Sequence, residues 1–368
     1  MKPINEEKYN SSKEKNKYSN LSLAKEKNKY SNLSLARETK KILQSNKIRL
    51  NKNLGQNYLI DDFKRKKIID FGNLHHEDVV LEIGPGIGTL TLEIAKKVKK
   101  VVAIEQDIAI SKILKNRLKE ESIGNVEIIN KDALKIDFPR FNKIISNLPY
   151  QISSPITFKF LEYDFDLAIL MYQKEFADRM IAKVGSKNYS RLSAMLYFKG
   201  KVEFLDNVSP ESFIPKPKVT SSIVRLTPLS KDMKNNLNNG DNHGENFSRS
   251  KIAIDELDKE YSIICKALFQ HKNKKIKNAL IDSRHILGYD DKKEIRQILD
   301  EISGKNKKLE STGKNKKLES TGKNKKLEST EKNKKLETIL IQRTIATSPE
   351  EILKIANYLK HIIKDDVL

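Results

Sequence analysis

The chain has 368 residues, a formal charge of +22, 38% hydrophobic residues and one cysteine, Cys265. That is enough apolar mass for a core but little for a wholly folded chain, and a single cysteine excludes an internal disulfide framework. No apolar run reaches the length of a membrane span, and MKPINEEKYNSSKEKNKYSN has neither a secretory core nor, with Glu6, Glu7 and Glu14, the acid-poor character of a mitochondrial transit segment, so a reducing cytoplasmic setting is expected.

The positive charge points to a polyanionic partner, but most of the excess sits in two low-complexity regions. Residues 1–50 read as a basic extension expected to be disordered, in which KEKNKYSNLSLA stands twice, at 13–24 and 25–36. A second repeat, GKNKKLEST, runs three times from Gly304, and a variant, EKNKKLETI, begins at Glu331. Nine residues turn a helix through about 900°, half a turn out of phase. Leu309, Leu318, Leu327 and Leu336 therefore form no stripe. Both repeats read as unpacked expansions; a basic arm that loosely holds RNA phosphates is the functional alternative.

Between these regions the pattern alternates. Val79–Gly84, Val101–Glu105, Val126–Asn130, Lys143–Ser146 and Leu167–Tyr172 are short apolar runs rich in Val and Ile and read as strands. Thr89–Val98, Ile108–Glu120, Lys174–Val184 and Arg191–Phe198 read as helices, and Val202–Asn207 with Ser222–Leu226 suit a closing strand pair. Such alternation predicts an α/β domain over 51–229, its parallel sheet covered on both faces. The polar stretch 230–254 reads as a linker. Residues 255–368 read as a small all-α domain interrupted by the repeats at 304–337, with Ser348 and Pro349 as N-cap and first residue of its last helix.

The first strand runs into Glu82-Ile83-Gly84-Pro85-Gly86-Ile87-Gly88. Glycines let a ligand approach the backbone, and the next helix offers free N–H groups. The G-x-G-x-G spacing departs from the G-x-G-x-x-G of dinucleotide enzymes, and a tight strand–helix turn would also account for it. Glu105 ends the second strand and Asp132 follows the third. Acids at the carboxyl ends of successive parallel strands face the ligand crevice; Glu105 suits the two hydroxyls of a ribose, and Asp132 the amino group of an adenine. Taken singly, either acid is also an ordinary solvated strand end.

The fourth strand ends in Asn147-Leu148-Pro149-Tyr150. An exocyclic amine is a poor nucleophile because its lone pair is delocalised into the ring. Two acceptors, the Asn147 side-chain oxygen and the Leu148 carbonyl, would hold both amino hydrogens and free that lone pair. Pro149 sets the backbone angle, and Tyr150 offers a face for a stacked base. Such a site works by in-line geometry and placed dipoles, without a strong base. An ordinary turn after a strand is the alternative. His75–His76 is the one histidine cluster and lacks the partners of a zinc site, so no metal is expected.

This order of signals resembles the S-adenosylmethionine-dependent methyltransferases, and in particular the ribosomal RNA adenine N6-dimethyltransferase family of the kasugamycin-resistance type, with an archaeal-like character. The likeness covers about residues 50–303 and 338–365, through NKNLGQNYLID (51–61), LEIGPGIGTLT (81–91), AIEQD (103–107), NKDALKIDF (130–138), NLPYQISSPITFKFL (147–161), YQKEFADRM (172–180) and FIPKPKVTSSIVRL (213–226). It implies a Rossmann-like seven-stranded methyltransferase domain with a small C-terminal helical domain. It also implies S-adenosyl-L-methionine contacts at Asn57, Leu59, Gly84, Gly86, Glu105, Asp132 and Asn147, a lid at GQNYL, and catalysis by Asn147, Leu148, Pro149 and Tyr150. Phe213 is implied beside the target base, opposite Tyr150, although core packing explains it equally. Lys272, Lys274, Lys275 and Lys277 are implied as RNA contacts, with a solvated helix face as the alternative.

The substrate so implied is a hairpin loop near the 3′ end of small-subunit ribosomal RNA, in a pre-ribosomal particle, where a monomer dimethylates N6 of two adjacent adenosines. A large-subunit enzyme of the same class is the near rival, although that branch usually carries isoleucine at the position of Leu148. A non-catalytic ribosome-assembly factor would not need Glu105, Asp132 and Asn147 together, and an NAD-dependent oxidoreductase has no use for N-L-P-Y. The repeats at 13–36 and 304–337 have no counterpart in the family.

Overall fold

The computed structural model describes residues 34–48, 57–229, 258–303, 335–364 and 367. The expectations for 1–33, for the linker at 230–254 and for the repeats at 304–334 lie outside the described residues. In chain order the elements are α1 (Leu35–Ser45), β1 (Tyr58–Leu59), α2 (Asp62–Phe71), β2 (Val79–Ile83), α3 (Thr91–Ala95), β3 (Lys100–Ile104), α4 (Ile108–Glu120), β4 (Val126–Ile129), β5 (Lys143–Asn147), α5 (Ser153–Phe160), β6 (Leu167–Gln173), α6 (Lys174–Met180), α7 (Arg191–Tyr197), β7 (Gly200–Val208), β8 (Phe213–Ile214) and β9 (Ser221–Pro228). The helices α8 (Asp258–Phe269), α9 (Ile276–Asp282), α10 (Lys292–Ile302), α11 (335–340) and α12 (Pro349–Leu359) follow. Two compact units result, Met1–Ala177 with Glu203–Thr227, and Asp178–Val202 with Pro228–Leu368.

The first unit is built on a seven-stranded sheet of order β4-β3-β2-β5-β6-β9-β7. The neighbours from β4 to β6 run parallel, and β9 joins β6 antiparallel. Strands covered on both faces have no polar side to show, which is why β2, β3, β5 and β6 read as continuous apolar runs. Val80, Leu81, Val101, Ile144, Ile145 and Ile169 are all fully buried. The order reverses between β2 and β5, where open α/β sheets place their ligand crevice. Helix α4 begins where Asp107 accepts the N–H groups of Ala109 and Ile110, an N-cap that satisfies two orphan donors.

One feature of this unit departs from expectation. Residues 34–48 are not disordered. Leu35–Ser45 forms a helix that buries Leu35, Thr39, Ile42 and Leu43, because leucine and isoleucine at that spacing find an apolar partner surface on Tyr58, Ile87, Ile110 and Ile113. GQNYL also ends in structure: Tyr58 pairs with Ile214 and Leu59 with Phe213 in a small antiparallel ladder.

The second unit is helical. Its core gathers Tyr261, Ile264, Leu268, Leu280, Leu299, Ile352 and Leu359. Tyr189, Ala194 and Phe198 join the same core, so residues from the middle of the expected 51–229 range pack with the helices. Tyr261 donates to the Ala194 carbonyl (2.9 Å) and Tyr189 to the Thr347 carbonyl (3.0 Å). Cys265 lies here, where burial pushes its thiol up to about 12. Leu336, expected to be unpacked with its repeat, is fully buried on α11 beside Ile339 and Leu340. Ser348 accepts the Glu351 N–H and Glu351 accepts the Ser348 N–H, a capping box that opens α12 at Pro349.

Candidate active site

A pocket opens at the carboxyl ends of β2, β3 and β5. Its lining includes Asn57, Tyr58, Leu59, Glu82, Gly84, Gly86, Glu105, Asp132, Asn147, Leu148, Pro149 and Tyr150. Every cofactor residue inferred from the sequence is therefore brought to one place. So is the whole Asn147–Tyr150 corner.

The turn after β2 is held in a backbone shape that glycine favours. Gly84, Gly86 and Gly88 have φ of 67°, 58° and 91°, values that cost other residues strain. At Gly84 a Cβ would stand 3.2 Å from the Pro149 ring, so the turn and the N-L-P-Y corner meet closely there. The Gly86 N–H donates to Glu105 Oε2 (3.1 Å), and Glu105 Oε1 accepts the Asp107 N–H (2.9 Å). Burial raises the Glu105 carboxyl above its ordinary value, against those backbone bonds. The carboxylate, with about four acceptor sites, retains capacity for a ligand hydroxyl. Asp132 Oδ1 accepts the Leu134 N–H (3.0 Å), which fixes the side chain at the rim.

Asn147 is the last residue of β5. Its amide nitrogen donates to the Asn57 carbonyl (2.9 Å). Leu148 is buried, and Tyr150 is half-buried with its hydroxyl 2.6 Å from Ser221 Oγ on β9. Burial raises the Tyr150 phenol above its ordinary value. The ring is thus neutral and anchored at its polar end.

Two pocket residues escaped the sequence reading. Glu82 is buried, and burial raises its carboxyl to about 8 against the nearby Thr91 hydroxyl, with the charge of Glu105 adding to the rise. Tyr58 is buried too, and its phenol is raised by burial, then by Glu105 and Asp107. Glu82 Oε2 and the Tyr58 hydroxyl have no hydrogen-bond partner among the described residues. The signal for Glu82 was an acid inside an otherwise apolar strand, directly before the glycine turn.

One other expectation needs correction, and one gains detail. Phe213 is 1% exposed and packs in the core with Leu59, Ile68, Met171 and Ile223; it does not line the pocket, because its ladder with Leu59 turns it inward. The lysine cluster is partly neutralised within its own unit. Lys274 pairs with Asp282 (2.7 Å) and Lys277 with Asp300. Lys272 donates to the Lys187 carbonyl (3.0 Å). Lys275 stands exposed at the start of α9. The hydrogen bond from Lys274, helped by Lys292, lowers the Asp282 carboxyl to about 2.

The pocket suits a nucleoside cofactor with a cationic tail. A backbone cradle without side chains faces Pro149, carboxylates stand at two strand ends, and one buried carboxyl oxygen, Glu82 Oε2, has no partner among the described residues. Among the described residues no group of three His, Cys, Asp or Glu could hold a metal, and no helix is long and apolar enough to cross a membrane.

Comparison with known proteins agrees with this geometry. A model of the ribosomal RNA adenine dimethylase family matches residues 47–241. A protein of Methanosphaera stadtmanae named probable ribosomal RNA small subunit methyltransferase A is 49% identical over 262 residues, 71% of this chain and 88% of its own. One of the same name from Methanothermobacter thermautotrophicus is 47% identical over 244 residues, 66% of this chain and 80% of its own. A crystal structure of a dimethyladenosine transferase from Plasmodium falciparum superposes with a TM-score of 0.59 at 28% identity, covering 83% of this chain and 98% of that one. The family match takes in α4, every strand and the pocket they frame, and the relatives are alike over most of their length, so the chain belongs to the ribosomal RNA adenine dimethylase family.

Proposed function

We propose that this S-adenosylmethionine-dependent rRNA adenine dimethyltransferase modifies N6 of two adjacent adenosines, twice each, in a hairpin loop near the 3′ end of small-subunit ribosomal RNA. The carrying observation is the Asn147–Tyr150 corner set against the glycine turn, so close that a Cβ on Gly84 would stand 3.2 Å from the Pro149 ring. S-adenosylmethionine, when bound, supplies a methyl group on a cationic sulfur. Glu105 takes the ribose hydroxyls and Asp132 the adenine amino group, and Asn57, Leu59, Gly84 and Gly86 line the rest of that site.

Against it the chain's own atoms prepare the target. The Asn147 side-chain oxygen and the Leu148 carbonyl accept the two amino hydrogens of an adenine swung out of its stack. The nitrogen then pyramidalises and its lone pair points into the pocket. Pro149 holds the corner rigid, and the Tyr150 ring, tied to Ser221, stacks the base. Leu148 itself is buried, which fixes the backbone that carries its carbonyl.

In this reading the enzyme works as a cytoplasmic monomer on a pre-ribosomal particle. Exposed Lys275 contributes to holding its RNA. Incubation of under-methylated small subunits with methyl-labelled cofactor is expected to place dimethyladenosine at two neighbouring positions of the small-subunit RNA. Label on large-subunit RNA, or none, would overturn the assignment.

A further inference from the structure

Helix α1 begins on the last two residues of the second copy of the twelve-residue repeat, and nothing in its sequence marks it as part of a site. Yet it reaches the glycine turn by two routes. Ile42 and Leu43 pack with Tyr58 and Ile87 in one apolar cluster, together with Ile110 and Ile113 of α4. Tyr58 is a wall of the pocket, and a Cβ on Gly86 would stand 2.9 Å from its ring.

The second route is polar. Glu38 of α1 forms an ion pair with Arg117 Nη2 of α4. The same guanidinium donates through Nη1 to the Ile87 carbonyl (2.5 Å), between Gly86 and Gly88. The pair is largely out of solvent, with side chains 10% and 16% exposed. At Gly88 the space of a Cβ is taken by Leu114 of the same helix, at 2.7 Å. A turn of three glycines has much backbone freedom to lose when a ligand binds. Fixing the Ile87 carbonyl beforehand removes part of that cost.

We infer that α1 is a built part of the cofactor site, and that Glu38, acting through Arg117 on the Ile87 carbonyl, is a positioning residue that sets the glycine turn for S-adenosylmethionine. The inference rests on reading the pocket as the cofactor site. It gives α1 a role in cofactor affinity.

Calorimetric titration of the full chain with S-adenosylmethionine, with thermal melts of each variant, tests it. Wild-type protein that binds no cofactor would remove the pocket reading, and this inference with it. Given wild-type binding, Glu38→Gln is expected to raise Kd about tenfold, the order of one charge-assisted hydrogen bond. In an Arg117→Met background, which already lacks the donor to the Ile87 carbonyl, Glu38→Gln is expected to change Kd by less than about twofold. Asp206→Asn, which breaks the ion pair with Lys64 outside the pocket, is expected to lower the melting temperature with Kd held within about twofold. A Glu38→Gln variant that binds within twofold of wild type overturns the inference. So does a Glu38→Gln effect that persists undiminished in the Arg117→Met background, or an Asp206→Asn variant that weakens binding as much as Glu38→Gln. Should Glu38→Gln fail to fold, Glu38→Asp, which keeps the charge and withdraws it by one methylene, is judged by the same thresholds.

Discussion

The Asn147 amide nitrogen donates to the Asn57 carbonyl across 2.9 Å. A carbonyl can only accept, so this bond decides which end of the amide is nitrogen. It leaves the side-chain oxygen as the acceptor for a substrate hydrogen. Asn147→Asp keeps an acceptor but sets oxygen against oxygen at Asn57. Turnover is expected to fall by about 10- to 100-fold, the range for a misplaced rather than a missing group. Single-turnover methyl transfer to under-methylated subunits measures it.

Tyr150 separates anchoring from stacking. Tyr150→Phe loses the bond to Ser221 and keeps the ring face, so kcat/KM for RNA is expected to fall less than about tenfold. Tyr150→Ala removes the face as well. Its expected cost is about 1–3 kcal/mol, the worth of one base on an aromatic platform, read in the same kinetic comparison.

Glu82 makes stability depend on pH. Its folded-state carboxyl is raised to about 8, by burial first, from an ordinary 4.5. Between those values the unfolded chain has released a proton that the folded chain still holds. Stability from this group therefore falls as pH rises through that window, and the fall is complete above the folded value. Glu82→Gln carries no such proton. Its melting temperature relative to wild type is expected to rise by about 5 °C between pH 5 and pH 8, as differential scanning calorimetry would record. A difference that stays flat with pH would contradict the assignment.

Leu336 is the other place where a small change has a large expected effect. Its side chain is fully buried in the helical core. Leu336→Ala is expected to cost about 2–4 kcal/mol of stability, transfer plus cavity, measurable as a lowered urea midpoint.

Leu336 and α1 also show where the sequence was hard to read. The strands of the main sheet were legible because both their faces are buried, so Val and Ile runs announce them. Helix α4 was legible from end to end because its apolar spacing is bracketed by an Asp107 cap. A repeat, by contrast, hides its exceptions. The period argument treated four leucines alike, yet Leu336 adjoins Ile339 and Leu340 and so completes a helical stripe. In α1 the apolar residues have their partners on β1, the glycine turn and α4, far along the chain, and no local pattern reports that. Phe213 was undecidable for the same reason: only its ladder with Leu59 shows which way it turns. The four lysines looked alike in sequence because the acids that pair with Lys274 and Lys277 stand 8 and 23 residues further on. The pocket itself was legible, apart from Glu82 and Tyr58, because its chemistry sits at strand ends that the topology gathers.

The central claim is that the Asn147 oxygen aims the adenine amine, while the cofactor is held mainly by other residues. Asn147→Ala tests it most directly, with single-turnover methyl transfer and S-adenosylmethionine calorimetry run on the same preparation. The account predicts a loss in rate of about 1,000-fold with cofactor Kd changed less than about tenfold. A rate within a few-fold of wild type would contradict it.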